Sequence, residues 1–340
     1  MNQQKLKPGP LLDQKGHVNE AGYHTSLVKT YRRKDVKVKG LRIKEWDYYY
    51  VGDHEKGVAF TVADNSYMWL TSITVFDFIK KKEYTQTNMG FLSLGKLKHP
   101  ETSHKGDITF KRKGLSFSFL HEKNKRHLIV ESKKFNKGEG FYADLILEES
   151  IEDSMVIVTP FEKKKHFYYN QKINLLQTNG FYKVGDQKQT FHNAYGVLDW
   201  GRGVWTYKNT WYWSSLSGIY QGKKIGFNLG YGFGDTSKAS ENMLFVDDKT
   251  YKLNDVIFDI PQKNKKDDFM SPWSIYSQNK DMDLVFTPIL DRHSHSNIIL
   301  ISSDQHQVFG HFSGSFKVSS TKTIEIKDMI GFAEKVKNRW

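Results

Sequence analysis

Apolar and polar residues alternate along much of the chain. Leu115-Ser-Phe117-Ser-Phe119 sets three apolar side chains on one face, and Val58-Ala-Phe60-Thr-Val62 repeats the pattern. A period of two is the signature of a strand with one packed face. Segments of similar character recur at Tyr67 to Phe78, His127 to Glu131, Phe141 to Leu147, Met155 to Phe161, Ile173 to Gln177, Ile225 to Tyr231, Leu284 to Thr287 and Val308 to Val318. Turn residues separate them, as at Asn136-Lys-Gly138 and Thr178-Asn-Gly180, with the spacing of antiparallel sandwiches and barrels. One stretch follows another period. Ile330, Ala333 and Val336 are spaced as on a helix, and Lys335 and Lys337 suit its carboxyl end, so a closing helix is predicted over residues 328–340.

The expected fold is all-β, with two antiparallel barrels or sandwiches. Residues 1–40, polar and carrying Pro8-Gly9-Pro10, read as an extended arm. Residues 41–185 would form the first barrel and 186–327 the second, each of ordinary domain size.

Composition supports this reading. Alanine occurs seven times, whereas Tyr, Phe, Trp, Val, Ile and Thr are plentiful, which favours pleated strands over helices. The 340 residues can bury a full core, and 38% hydrophobic with 26% charged residues fits a globular protein. The absence of cysteine excludes disulfides, thiolate metal sites and a cysteine nucleophile. No secretory signal opens the chain and no stretch approaches the length of a bilayer span, so a cytoplasmic location is expected.

The net charge of +13 is diffuse, with short lysine runs such as Lys80 to Lys82 and Lys163 to Lys165 between apolar segments. No nucleic-acid-binding motif accompanies them, so solvated loops are the favoured reading and a specific nucleic-acid partner is not expected. Weak contact with an anionic membrane surface is the partner such charge would allow.

The chemistry concentrates between His192 and Asn242. Four of the eight tryptophans, Trp200, Trp205, Trp211 and Trp213, lie within fourteen residues, beside His192, Asp199 and Arg202. Aromatic walls enclosing a few polar groups make an acid–base environment. Asp199 is the candidate acid or base, Arg202 its orienting partner or the receptor of a polar ligand head, and His192 a third candidate. Equally, Asp199 and Arg202, three residues apart on a turn, would form a structural ion pair. Trp205, Trp211, Trp213 and Tyr231 would wall the pocket, with Asp235, Glu241 and Asn242 as further ligand contacts. Asp235 and Glu241 also raise a glycosidase pair. Glycines 201, 203, 230, 232 and 234 lack phosphate-loop spacing and point to close strand packing. His293-Ser-His295, beside Asp291, lacks an evident third ligand and reads as an exposed loop, so neither a metal site nor any cofactor is expected.

Asp199-Trp-Gly-Arg-Gly-Val-Trp205, Trp211-Tyr-Trp213, Asn228-Leu-Gly-Tyr-Gly-Phe-Gly-Asp235 and Glu241-Asn242 resemble the family known as domain of unknown function 2804. Ile43-Lys-Glu-Trp-Asp-Tyr-Tyr49, His306-Gln-Val-Phe-Gly310, Phe312-Ser-Gly314 and Gly331 to Trp340 agree, so the resemblance spans the chain. It implies no activity. A more distant likeness is to lipocalin-like carotenoid hydratases and cofactor-free cyclases, whose signature resembles Asp-His-x-Trp-Gly; Asp199-Trp200-Gly201 matches it loosely, and Asp199 alone transfers. That likeness implies two lipocalin-like antiparallel barrels and, by analogy, cofactor-free hydration, cyclisation or isomerisation with Asp199 in an aromatic pocket, while the aromatic-rich segment with its few polar groups points to an apolar or amphipathic small-molecule ligand. A non-catalytic carrier or scaffold and a carbohydrate-directed β-sandwich remain the other readings, and neither catalysis nor oligomeric state is decided by sequence.

Overall fold

The computed structural model describes residues 3–38, 40–298 and 301–339. Among them the strands form two large antiparallel sheets, of twelve and nine strands, each curled into a lipocalin-like half-barrel.

In the first sheet the order runs Lys82–Phe91, Met68–Asp77, Lys56–Asp64, Ile43–Gly52, Gln187–Val204, Phe167–Val184, Phe141–Glu149, Lys125–Ser132, Leu115–Glu122 and Ile108–Arg112. Met155–Pro160 pairs beside Phe167–Val184 and carries Gly22–His24 of the amino-terminal segment on its outer edge. That segment is extended, and Leu6, Leu11, Leu12 and Tyr31 are buried in the first core. In the second sheet Lys223–Tyr231, Lys208–Tyr220, Lys322–Arg339, Ile301–Ser319 and Met282–Ile298 lie side by side. The turn at 185–186 joins two strands of the first sheet, and the chain passes to the second at 205–207.

Each half-barrel has its own core. Two further apolar clusters mix residues of both sheets: Trp46, Tyr168, Trp205, Trp211 and Phe233 in one, and Tyr48, Tyr50, Phe309, Trp213 and Phe332 in the other. The central strands are therefore covered on both faces, as the unbroken burial of Ile43–Glu45 and Tyr168–Leu176 reflects.

This double coverage corrects the closing helix. Lys322–Arg339 is a strand, and Ile330 and Ala333 fall on opposite faces, one toward the sheet interface and one toward the second core. Apolar residues three apart imitate a helix when both faces of a strand are buried. Trp340 lies outside the described residues. His293-Ser-His295 is corrected likewise: it belongs to the strand Met282–Ile298, paired with Ile301–Ser319. Among the described residues no helix is long and apolar enough to cross a membrane.

Candidate functional site

Strand parity decides which residues meet. On Gln187–Val204, Val197 and Asp199 face the gap between the sheets, whereas Leu198, Trp200 and Arg202 face the first core. The neighbouring strands are in register with Asp199 through Lys172 on one side and Tyr48 on the other. Tyr168, Asn170 and Lys172 accordingly project into the gap from one strand, and Trp46 and Tyr48 from the other.

Three donors converge on Asp199. Lys172 Nζ is 2.8 Å from Oδ1, Asn170 Nδ2 donates to Oδ1 at 2.6 Å, and Trp46 Nε1 donates to Oδ2 at 3.0 Å. Gly201 makes the last contact sterically feasible, because a Cβ there would lie 1.9 Å from the Trp46 ring. Lys172 also stands 3.6 Å from the centroid of Trp213, contributed by the opposite sheet, a desolvated cation–π geometry. The Asp199 side chain is 11% exposed and that of Lys172 4%, so the pair is nearly dry, with its small residual exposure mostly on the Asp199 side.

Two carboxyls come from the second half-barrel. Glu334 accepts from Trp211 Nε1 at 3.0 Å and from Gln307 Nε2 at 3.3 Å. Its strand is in register with Trp213 and Gln307. Burial pushes Glu334 up to about 7 against the opposing pull of the Trp211 hydrogen bond and the Lys172 charge. Glu241 is raised by burial too, with the Lys172 charge and the Asn228 hydrogen bond working the other way. Asn228 accepts from Trp213 Nε1 at 2.7 Å and donates to the Glu241 carbonyl at 2.7 Å. Gly230 leaves room for Glu241, whose carboxyl carbon would lie 2.9 Å from a Cβ at that position. The gap thus holds one amine and three carboxyls within an indole-rich wall, and near neutrality Glu334 can both give and take a proton.

Asp199, Glu241, Trp205, Trp211 and Trp213 gather at this gap, Trp205 through edge contacts with Trp46 and Trp211 at 5.0 and 5.9 Å. The others do not join it. Arg202 points away from Asp199, because three residues along an unbroken strand invert the face; its guanidinium meets Asp47 Oδ1 at 3.0 Å and the carbonyls of Trp46, Gly201 and Pro100. The expected Asp199–Arg202 pair is replaced by Lys172–Asp199 and Arg202–Asp47. His192 is exposed, seven residues or roughly 23 Å along the strand from Asp199. Tyr231 stacks on Tyr212 at 4.6 Å and packs into the second core. Asp235 is exposed in a turn where it accepts from the Ser237 backbone N–H, so it is not paired with buried Glu241. Asn242 braces backbone, accepting from Gly230 N–H at 2.7 Å and donating to the Asn254 carbonyl at 2.9 Å.

Lys172, Asn170, Asn228, Glu334, Trp46 and Gln307 are not among the site residues proposed from sequence, although Trp46, Asn228, Gln307 and Glu334 stand inside the family motifs. One signal was present: Phe167-Tyr-Tyr-Asn-Gln-Lys-Ile-Asn-Leu-Leu is an apolar strand interrupted by polar residues at 170, 171, 172 and 174, of which 170, 172 and 174 share a face. Residues able to gather around a metal ion lie outside this gap, at His293, Asp304 and His306.

The sequence from residue 2 to residue 340 matches one family profile throughout. The chain belongs to the family described as Domain of unknown function (DUF2804). No curated protein matches it. Among solved structures, it resembles a Nitrosomonas europaea protein described as AttH, with a TM-score of 0.55, 11% identity, and 92% of this chain and 98% of that one covered. CghA crystallised with Sch210972 is similar with a TM-score of 0.51 and 8% identity, over 97% of both chains. Kievitone hydratase from Nectria haematococca follows with a TM-score of 0.45 and 12% identity, over 92% of this chain and 96% of its own. At such identities the first two likenesses establish a shared fold.

Proposed function

We propose that the gap between the half-barrels receives an apolar or amphipathic small molecule and converts it by cofactor-free acid–base chemistry of the hydration, cyclisation or isomerisation type. The observation that carries this reading is the Lys172–Asp199 pair pressed against Trp213 and facing Glu334, whose carboxyl is pushed up to about 7. Indole walls supply apolar contact area, and a carboxyl poised near neutrality is suited to general acid–base catalysis. Lys172 and Asp199 would orient a polar group of the ligand, and Glu334 would move the proton. Trp46 and Trp211 are half-buried, so part of this indole wall meets solvent. CghA, of similar fold, was crystallised with a small molecule, Sch210972, which is in keeping with this use.

Native mass spectrometry with organic extraction, on protein purified from its own host, tests the reading. The expected result is one defined isoprenoid, fatty-acyl or polyketide-like compound, depleted at least tenfold by Trp213→Ala in protein that keeps its melting transition. An empty protein, or occupancy indifferent to that change, overturns it. With the compound in hand, Glu334→Gln separates catalyst from carrier: lost conversion with retained binding identifies the enzyme, and retained binding with no conversion even by the unaltered protein identifies the carrier.

A further inference from the structure

The strands Met282–Ile298 and Ile301–Ser319 set a second cluster well apart in character from the gap. Their register pairs His293 with His306 and His295 with Asp304. Residues two apart on a strand share a face, and directly opposed residues of paired strands share it as well. Three imidazoles and one carboxylate therefore crowd together. Around Asp304 Oδ1 lie His293 Nε2 at 2.8 Å, His295 Nδ1 at 3.5 Å and His306 Nε2 at 3.8 Å. One ligand atom each from His293, Asp304 and His306 falls within 4.8 Å of the others.

His306 is held for this role. Its Nδ1 is 2.7 Å from Asp291 Oδ2, a pairing that fixes the ring and, with Nδ1 donating, leaves the Nε2 lone pair facing the cluster. Such a carboxylate behind an imidazole is the usual outer support of a metal-binding histidine. Phe269 covers one face of the ring at 3.7 Å between centroids and His293 the other at 4.0 Å. Asp304 and His306 also line a cleft of about 580 Å³ whose other walls include Lys265, Lys266, Lys335 and Lys337. Lys335 is tied to Asp267 at 2.6 Å.

We infer that His293, His306 and Asp304, with His295 adjacent, bind a divalent transition metal of the zinc class whose open position faces this basic cleft and accepts an anionic oxygen ligand. Bonds of roughly 2.0–2.2 Å in tetrahedral geometry place neighbouring ligand atoms roughly 3.3–3.5 Å apart, so modest rotation of the imidazoles closes the shell. Nitrogen-rich donors with one carboxylate favour zinc, cobalt, nickel or copper over magnesium or calcium. The lysines would neutralise a phosphate or carboxylate drawn to the metal.

The test uses the full chain, stripped with chelator, dialysed against zinc and analysed by mass spectrometry of the metal. One zinc ion per chain is expected, and cobalt in its place should give the visible absorption of a low-coordinate nitrogen–oxygen site. Combined His293→Ala and His306→Ala changes should abolish binding while leaving the melting transition of the metal-free protein intact, and Asp291→Asn should weaken affinity about 10- to 100-fold. His192→Ala, remote and exposed, serves as the control. No retained zinc, or equal zinc in the doubly altered protein, overturns the site and leaves a proton-sharing histidine–aspartate network. Inorganic phosphate should perturb the cobalt spectrum, and a spectrum it leaves unmoved overturns the anion ligand.

Discussion

Two buried ion pairs lie on the same strand three residues apart, and they differ in how fully their charges are satisfied. Inside the first half-barrel, Arg202 is wholly enclosed and spends its donors on Asp47 and three backbone carbonyls. Burial pushes the Asp47 carboxyl up, but the charges and hydrogen bonds of Arg202 and His99 together outweigh it, and the net position is below the usual value. On the other face, Lys172 has Asp199 on one side and an indole ring on the other, with two more carboxyls near enough for its charge to act on both. A saturated pair holds strands together. A pair with spare capacity, solvent at its edge and a proton-exchanging neighbour is equipped for chemistry.

The largest effect should come from breaking the saturated pair. Arg202→Met leaves Asp47 in the first core with only the His99 imidazole, 3.4 Å away, and is expected to cost about 3–5 kcal/mol, read from denaturant unfolding. A loss below about 1 kcal/mol would erase the contrast.

Next comes the pH dependence of the gap. Glu334 sits at about 7 in the folded chain against an ordinary 4.5, so between these values the folded state retains a proton that the unfolded state releases. Stability contributed by that proton is present at low pH and is lost as pH rises toward 7, by roughly 3 kcal/mol at most. Glu334→Gln should flatten this part of the profile in unfolding measured at pH 5 and pH 7.5. An unchanged slope would assign the titration to another group.

The smallest effect concerns the pair in the gap. Lys172→Met or Asp199→Asn alone should cost about 1–2 kcal/mol, because Asn170 and Trp46 still serve the carboxylate when the amine is gone, and Glu241 and Glu334 still act on the amine when the carboxylate is gone. The double variant should recover part of the loss, giving a coupling of about 1 kcal/mol in a double-mutant cycle. Strict additivity would mean that the two groups do not sense each other.

Much of this molecule was legible along the chain. Alternation and aromatic content specify strands, since a pleated surface with branched and aromatic side chains buries area that a helix would not. In the segment from Asp199 to Glu241 the clustering of indoles and carboxyls was legible, and Trp205, Trp211 and Trp213 do stand with Asp199 and Glu241 between the sheets. Face assignment failed where the local pattern was ambiguous. Arg202 and Tyr231 were grouped with Asp199 by nearness in sequence, yet alternation places them on the core side of their strands.

What the sequence by itself determined is therefore the fold class, the aromatic wall and two members of the buried cluster, Asp199 and Glu241, all of which depend on composition and on neighbours within a few residues. Only the tertiary structure decided the partners. Lys172 reaches Asp199 through strand register, Glu334 reaches the same gap because a second sheet packs across it, and Asp304 and His306 reach His293 through a paired strand. Register and sheet packing are long-range outcomes of burying both faces of the central strands, and no local pattern encodes which distant residue will stand opposite.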